Sequence, residues 1–220
     1  MAIKPILFNT EMVRAILDGR KSCTRRLVKT RRKDACGFCV ACGFYVTRKT
    51  NGSFTGIYEY DENEIMFDNP LEPPYQPGDI LYVRETWSKH YVPDENGKPK
   101  LEYCYKADGT DIKGECLPGE NNRWYPSIHM PKEATRIWLK ITDVRVEQLQ
   151  SISGKEILKE GVNSLVHPDA FYFDMNQREL FESVWNSTIK KADLDRYGWN
   201  ANPWVWVIEF ERCERGGIDG

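Results

Sequence analysis

The stretch GRKSCTRR at 19–26 opens a local excess of positive charge. From Gly19 to Lys33 there are eight cationic side chains, Arg20, Lys21, Arg25, Arg26, Lys29, Arg31, Arg32 and Lys33, and no acid, in a chain whose formal net charge is -2. Lysine and arginine neutralise phosphate without any covalent step, so the cluster predicts contact with a nucleic-acid backbone. Two plainer readings stand beside it. Arg20 and Lys21 would follow a helix C-terminus, where the dipole favours cations, and the rest could be a solvated basic surface with Thr24 as an ordinary turn hydroxyl.

A second group could hold metal. Three of the seven cysteines, Cys36, Cys39 and Cys42, fall in CGFCVACG, and Cys39-Val-Ala-Cys42-Gly43 has the shape of a zinc knuckle. A tetrahedral site needs a fourth ligand, for which Cys104 or Cys116 would serve; the alternative is unligated thiols in a loop. An odd cysteine count argues against a disulfide framework. The N-terminal MAIKPILFNTEMV has no apolar core of signal-peptide length, and the longest apolar run, WVWVI at 204–208, is too short for a bilayer. A cytoplasmic protein without membrane partners is expected. Tyr82, Trp87, Trp124 and Trp199 are candidates for stacking on a base, or are core aromatics. Glu85 in RETW would pair with Lys21 or Arg26, or accept from a base edge. His129 in PSIHMP is read as structural.

These groups need elements to hold them. With 220 residues and 40% hydrophobic content the chain can bury a sizeable core. TEMVRAILDGRK reads as an amphipathic helix capped by Thr10, carrying Met12, Val13, Ile16 and Leu17 on one face and stopping at Gly19. After the turn YQPGD, ILYVRETW reads as a strand, as does LEYCYKA at 101–107. In RIWLKITDVRVEQL, Ile137, Leu139 and Ile141 alternate with Trp138, Lys140 and Thr142 until Asp143 shifts the phase to Val144 and Val146, the mark of a bulged, curving strand. Ser153 and Glu156 form a capping box for a helix ending near Gly161. A second helix is predicted over about Asp174 to Lys190 with Leu180, Phe181, Val184, Trp185 and Thr188 on one face. PWVWVIEFER is a final strand. Residues 31–76 read as an insertion whose acidic part, Glu59 to Glu72, is taken as a solvated loop. The pattern predicts an α+β fold with a small β-barrel and peripheral short helices, in one domain spanning 1–220.

The spacing Gly19, Lys21, Thr24, Arg26 resembles the GxKxxTxR signature of the ASCH domain family in the PUA-like superfamily. IKPILFNTEMVRAILDGRKSCTRR, PGDILYVRETW, PSIHMPKEATRIWLKITDVRVEQLQSI and YGWNANPWVWVIEFER look like the larger ASCH proteins of bacteriophages and prophages. The resemblance implies a PUA-like barrel with a cleft for RNA, a nucleoside or a nucleotide, around Arg20, Lys21, Arg25, Arg26, Tyr82, Glu85 and Trp87. It also implies alternatives. One ASCH branch hydrolyses acetylcytidine with a Lys, a Thr and a Glu, which map onto Lys21, Thr24 and Glu160. Thr24 would attack the acetyl carbon and Lys21, if kept neutral by the cations around it, would act as base. That reaction needs no cofactor, and any zinc would be structural. Another branch is associated with RNA cleavage. Cys23 is a rival nucleophile, though it points away from Lys21 and Thr24 if the segment is extended.

Overall fold

A computed structural model describes residues 1–29, 43–50, 54–109, 123–162 and 170–214, of which Phe54 and residues 170–176 are described by backbone only. In chain order the elements are β1 (Ile3–Leu7), α1 (Thr10–Leu17), β2 (Cys23–Leu27), β3 (Gly43–Arg48), β4 (Phe54–Tyr60), β5 (Ile80–Arg84), β6 (Trp87–Pro93), β7 (Pro99–Tyr105), β8 (Trp138–Gln148), α2 (Gly154–Lys159), α3 (Ala170–Ser187), α4 (Leu194–Tyr197) and β9 (Trp204–Cys213), with short 3-10 turns between some of them. The fold is α+β, as the alternating patterns predict. Among the described residues no closed barrel is formed. The chain divides into two compact units, the first holding Met1–Ser22, Gly78–Ile141 and Phe210–Gly220, the second Cys23–Pro77 and Thr142–Glu209.

In the first unit β1 runs parallel to β5, with Ile3 opposite Ile80 and Leu7 opposite Arg84, and β5 runs antiparallel to β8, with Tyr82 opposite Trp138. Buried Asp79 anchors the start of β1 by accepting from the Ala2 N–H at 2.8 Å and the Lys4 Nζ at 2.9 Å. Helix α1 buries Val13 and Ile16, while Asn9 rather than Thr10 caps it, its Oδ1 accepting from the Met12 N–H at 2.9 Å. Asn and Thr both cap well, and the helix begins one residue earlier than the pattern implied. At its other end Gly19 takes φ +72°, a conformation that costs a side-chain-bearing residue dearly. That turn lets the N–H groups of Arg20 and Lys21 both donate back to the Ala15 carbonyl, at 2.8 and 2.9 Å. The glycine of the motif therefore aims the lysine. The β6–β7 hairpin packs Trp87 with Met130 and Ala134, flanked by Tyr103, Tyr105 and Tyr125.

In the second unit β2 is antiparallel to β9, from Cys23 opposite Glu209 to Leu27 opposite Val205. Strand β8 shows the phase change expected at Asp143: Leu139 and Ile141 are buried, Thr142 and Asp143 are both exposed, and Val146 is buried again. Helix α2 has the predicted capping box, Ser153 Oγ accepting from the Glu156 N–H and Glu156 Oε2 accepting from the Ser153 N–H, and Gly161 at φ +78° follows its end. Helix α3 begins at Ala170, four residues before the predicted start. Among its described side chains Gln177, Phe181 and Trp185 are buried, the last two an aromatic pair, whereas Leu180 is 36% exposed. These two rings pack with Cys23, Leu149, Ile152, Ile157, Trp199, Val205 and Val207. Cys23 thereby serves as a small apolar core residue. The part of the 31–76 segment that is described carries the β3–β4 hairpin, and Glu59, expected in a solvated loop, is 2% exposed.

Candidate functional site

Strand alternation divides the basic motif between two faces of β2. Cys23, Arg25 and Leu27 face one way, and Cys23 and Leu27 lie against the core under α2 and α3; Thr24 and Arg26 face the other. The Arg25 guanidinium, with its side chain 1% exposed, is surrounded by acids. Nη1 donates to Glu160 Oε1 at 3.1 Å, and Nη2 lies 3.4 Å from Glu156 Oε1 and 3.5 Å from Glu147 Oε2. Its Nε has no acceptor among the described residues. Arg145 extends the array, reaching Glu147 and Glu156 at 2.6 Å each, Glu209 at 2.7 Å and Asp143 at 3.0 Å, while Lys159 meets Glu209 at 3.2 Å.

This array explains an oddity of the sequence. Glu160 closes α2, where the helix dipole disfavours a carboxylate, yet its side chain is only 6% exposed. Arg25 supplies the compensating charge. Burial would push the Glu156 carboxyl up, but donors from the Ser153 backbone and hydroxyl, then Arg25 and Arg145, hold it below its ordinary value. Glu209 is held down in the same way by Arg145 and Lys159 against the effect of burial. The reciprocal effect raises Arg145, its carboxylate partners outweighing desolvation.

Arg26, on the opposite face, has the reverse balance. Burial lowers its pKa, and the Tyr75 and Glu160 charges only partly offset that. Tyr75 is itself raised by burial, with Arg26 opposing. Thr24, on the same face as Arg26, is 3% exposed.

The first unit holds the remaining motif residues. Lys21 is 3% exposed, its Nζ 5.7 Å from the centroid of the Phe8 ring. Arg20 is half-buried and bonded to Asp18 at 2.8 Å. Glu85 is clasped by Arg136, Nε to Oε1 at 2.9 Å and Nη2 to Oε2 at 3.0 Å, and Arg136 also reaches Asp108 at 2.8 Å. Desolvation raises the Glu85 pKa, with the Arg136 hydrogen bonds and charge opposing. The Arg136 guanidinium lies 4.0 Å from the centroid of Tyr105, whose phenol is pushed up to about 12, mainly by burial, and whose hydroxyl donates to the Ala134 carbonyl at 2.6 Å. Tyr82 is half-buried, with Lys132 Nζ 5.7 Å from its ring. Trp87 is 7% exposed and stacked at 5.1 Å on Tyr125, so it is built into the hairpin core. Trp199 likewise belongs to the core of the second unit, and His129 lies exposed in a 3-10 turn. Cys36, Cys39, Cys42 and Cys116 lie outside the described residues; Cys104 is buried with its Sγ 2.6 Å from His90 Nδ1.

Sequence reasoning did not single out Arg136, Arg145, Glu147 or Tyr75 as partners, and it found Glu156 only as a capping residue. For Arg145 and Glu147 a signal existed, since they alternate with Val144 and Val146 along β8. For Arg136 and Tyr75 there was none, because nothing local marks a partner across the fold.

No family model matches the chain, and no curated protein matches it. Among solved structures, one described as an ASCH domain from Lactobacillus crispatus JV V101 is similar at 12% identity with a TM-score of 0.34, over 96% of this chain and 79% of that one. Among the described residues no helix is long and apolar enough to cross a membrane.

Proposed function

We propose that the protein is an ASCH-type, PUA-like protein of the larger phage and prophage kind that binds RNA or a nucleotide through the GRKSCTRR segment, with Arg20, Lys21 and Arg26 as its cationic contacts. The observation that supports this reading is the imbalance along β2. Arg25 is saturated by three carboxylates, whereas Arg26 sits on the other face with its charged form disfavoured by burial. A guanidinium there is suited to meet a phosphate through a charge-assisted bidentate contact. Arg25 then acts as the strut that fixes β2 rather than as a phosphate contact. Fluorescence anisotropy of a labelled single-stranded RNA across a salt series tests the proposal. Affinity should fall steeply with salt, and the Arg20→Ala/Arg26→Ala variant should flatten the log–log slope by about 1.4, the value for two lost phosphate contacts on a single strand. An unchanged slope in a folded variant removes the motif from the account.

One observation favours a second reading, hydrolysis of an acylated cytidine by Lys21, Thr24 and Glu160. Glu160 is held buried and hydrogen-bonded instead of lying exposed at a helix end, as a positioned carboxylate would be. Incubation with acetylcytidine, free and within short RNA, should then release cytidine, and Lys21→Ala and Thr24→Ala should each abolish release. No release from wild-type protein that binds RNA eliminates this reading. Cleaved RNA would instead assign a ribonuclease.

A further inference from the structure

The second unit contains a cleft of 350 Å³ lined among others by Phe44, Tyr60, Gln148, Arg196, Tyr197 and Trp204. Its size lies at the lower end of small-molecule sites. Four aromatic rings, an amide and a guanidinium are the side chains that stack on and edge-bond a planar heterocycle.

The walls of the cleft are fixed by committed backbone, while several of its side-chain groups are uncommitted. Trp204 opens β9 and its carbonyl accepts from the Val28 N–H at 3.0 Å; the preceding Pro203 carbonyl accepts from the Leu149 N–H at 2.9 Å. Asn202 holds the corner in a left-handed conformation, φ +46°, with its Oδ1 accepting from the Gln150 N–H at 2.8 Å. Gln150 Nε2 donates to the Trp199 carbonyl at 2.9 Å, closing the loop onto the 3-10 turn. Tyr60 packs tilted against Tyr45, ring centroids 4.7 Å apart, and its ring lies where a Cβ at residue 43 would be, so Gly43 is required there. Against this frame, the Trp204 indole N–H and the Gln148 side-chain amide have no hydrogen-bond partner among the described residues. Trp204 and Phe44 also have no ring partner there. The Arg196 guanidinium lies 5.2 Å from the centroid of the Tyr197 ring.

We infer that this cleft is a base-holding subsite, taking one unpaired nucleobase between Trp204 and Phe44 and reading its edge with the Gln148 amide. The inference rests on the nucleic-acid reading proposed above and adds to it a place where a base, rather than a phosphate, is bound. Purines offer the larger stacking face, and every base edge has a donor or acceptor that a side-chain amide can meet.

The test titrates the full chain with uridine and adenosine homo-oligonucleotides of about eight residues, a length within the range that single-strand binding folds engage, and with AMP as the free-nucleotide arm. Binding is read by anisotropy of an end label, and separately by quenching of tryptophan fluorescence. Wild-type protein should show quenching on binding. Trp204→Phe should keep the affinity but lose most of the quench; Trp204→Leu should weaken binding at least about fivefold, the lower end for one lost stack. Gln148→Ala, at an exposed position that should not disturb folding, should alter the ratio of adenosine to uridine affinity. Quenching by AMP as well as by the oligonucleotides would assign a nucleotide site; quenching by the oligonucleotides alone would assign a base within a strand. Full quenching in Trp204→Phe together with unchanged affinity in Trp204→Leu and Gln148→Ala would overturn the subsite while leaving RNA binding intact. Quenching that persists without any salt dependence, and without response to Arg20→Ala/Arg26→Ala, would keep the cleft and reject the basic-segment reading.

Discussion

Replacing Arg25 by alanine should destabilise the protein by about 3 kcal/mol, and the structure says why. The guanidinium lies 3.1 to 3.5 Å from three carboxylates with only 1% of its side chain exposed. At an effective dielectric constant of about 20, one such contact is worth about 5 kcal/mol before desolvation is charged against it. Net costs of removing one partner from a buried ion pair run at about 3–5 kcal/mol. Glu147 and Glu156 keep Arg145 at 2.6 Å, so most of the loss falls on Glu160 and the lower end of that range applies. For a chain of this length about 3 kcal/mol lowers Tm by roughly 6–12 °C. Urea and thermal denaturation followed by circular dichroism measure it. The companion variant Arg25→Met/Glu160→Leu removes both charges and keeps volume, so it should recover most of the loss. If Arg25→Ala lies within about 1 kcal/mol of wild type, or if the double variant is no more stable than the single one, Arg25 is not the electrostatic anchor of β2.

Stability should fall between pH about 10 and about 12, because Tyr105 titrates near 12 in the folded protein against 10.0 for the free phenol. The neutral phenol is favoured in the fold, so nothing is lost below pH 10, and the penalty grows until the folded-state value is passed. Spectrophotometric titration should show a tyrosine that ionises near pH 12 and is absent in Tyr105→Phe; if every tyrosine of the folded protein titrates at or below pH 10.5, the buried phenol is refuted. Protein purified without chelator should contain about one zinc per chain, lost on Cys39→Ser/Cys42→Ser. Metal analysis finding none would leave Cys36, Cys39 and Cys42 as bystander thiols.

Much of the local architecture was readable from residue order alone, because its causes are local. The Ser153–Glu156 capping box, the stop at Gly19, the strand formed by ILYVR and the phase change at Asp143 each depend on neighbours a few residues apart, and each occurs where the pattern puts it. The misplaced cap, Asn9 for Thr10, is a choice between two adjacent residues with nearly equal capping strength. What sequence could not supply is which charge meets which. Glu85 was expected to find Lys21 or Arg26, and its carboxylate is clasped by Arg136, 51 residues away. Arg25 reads as one more phosphate-seeking cation until strand pairing and the packing of α2 bring Glu160 to it from 135 residues off. The difference between Arg25 and Arg26 is invisible in the letters RR; it arises because successive side chains on a strand point to opposite faces, and only the packed fold decides that one of those faces carries carboxylates. The cleft around Trp204 is decided the same way, its walls coming from segments near residues 44, 60, 148, 196 and 204. Caps, turns and periodicity are written within one or two turns of chain, whereas a buried charge or an open cleft is a property of segments whose meeting depends on the whole pattern of burial.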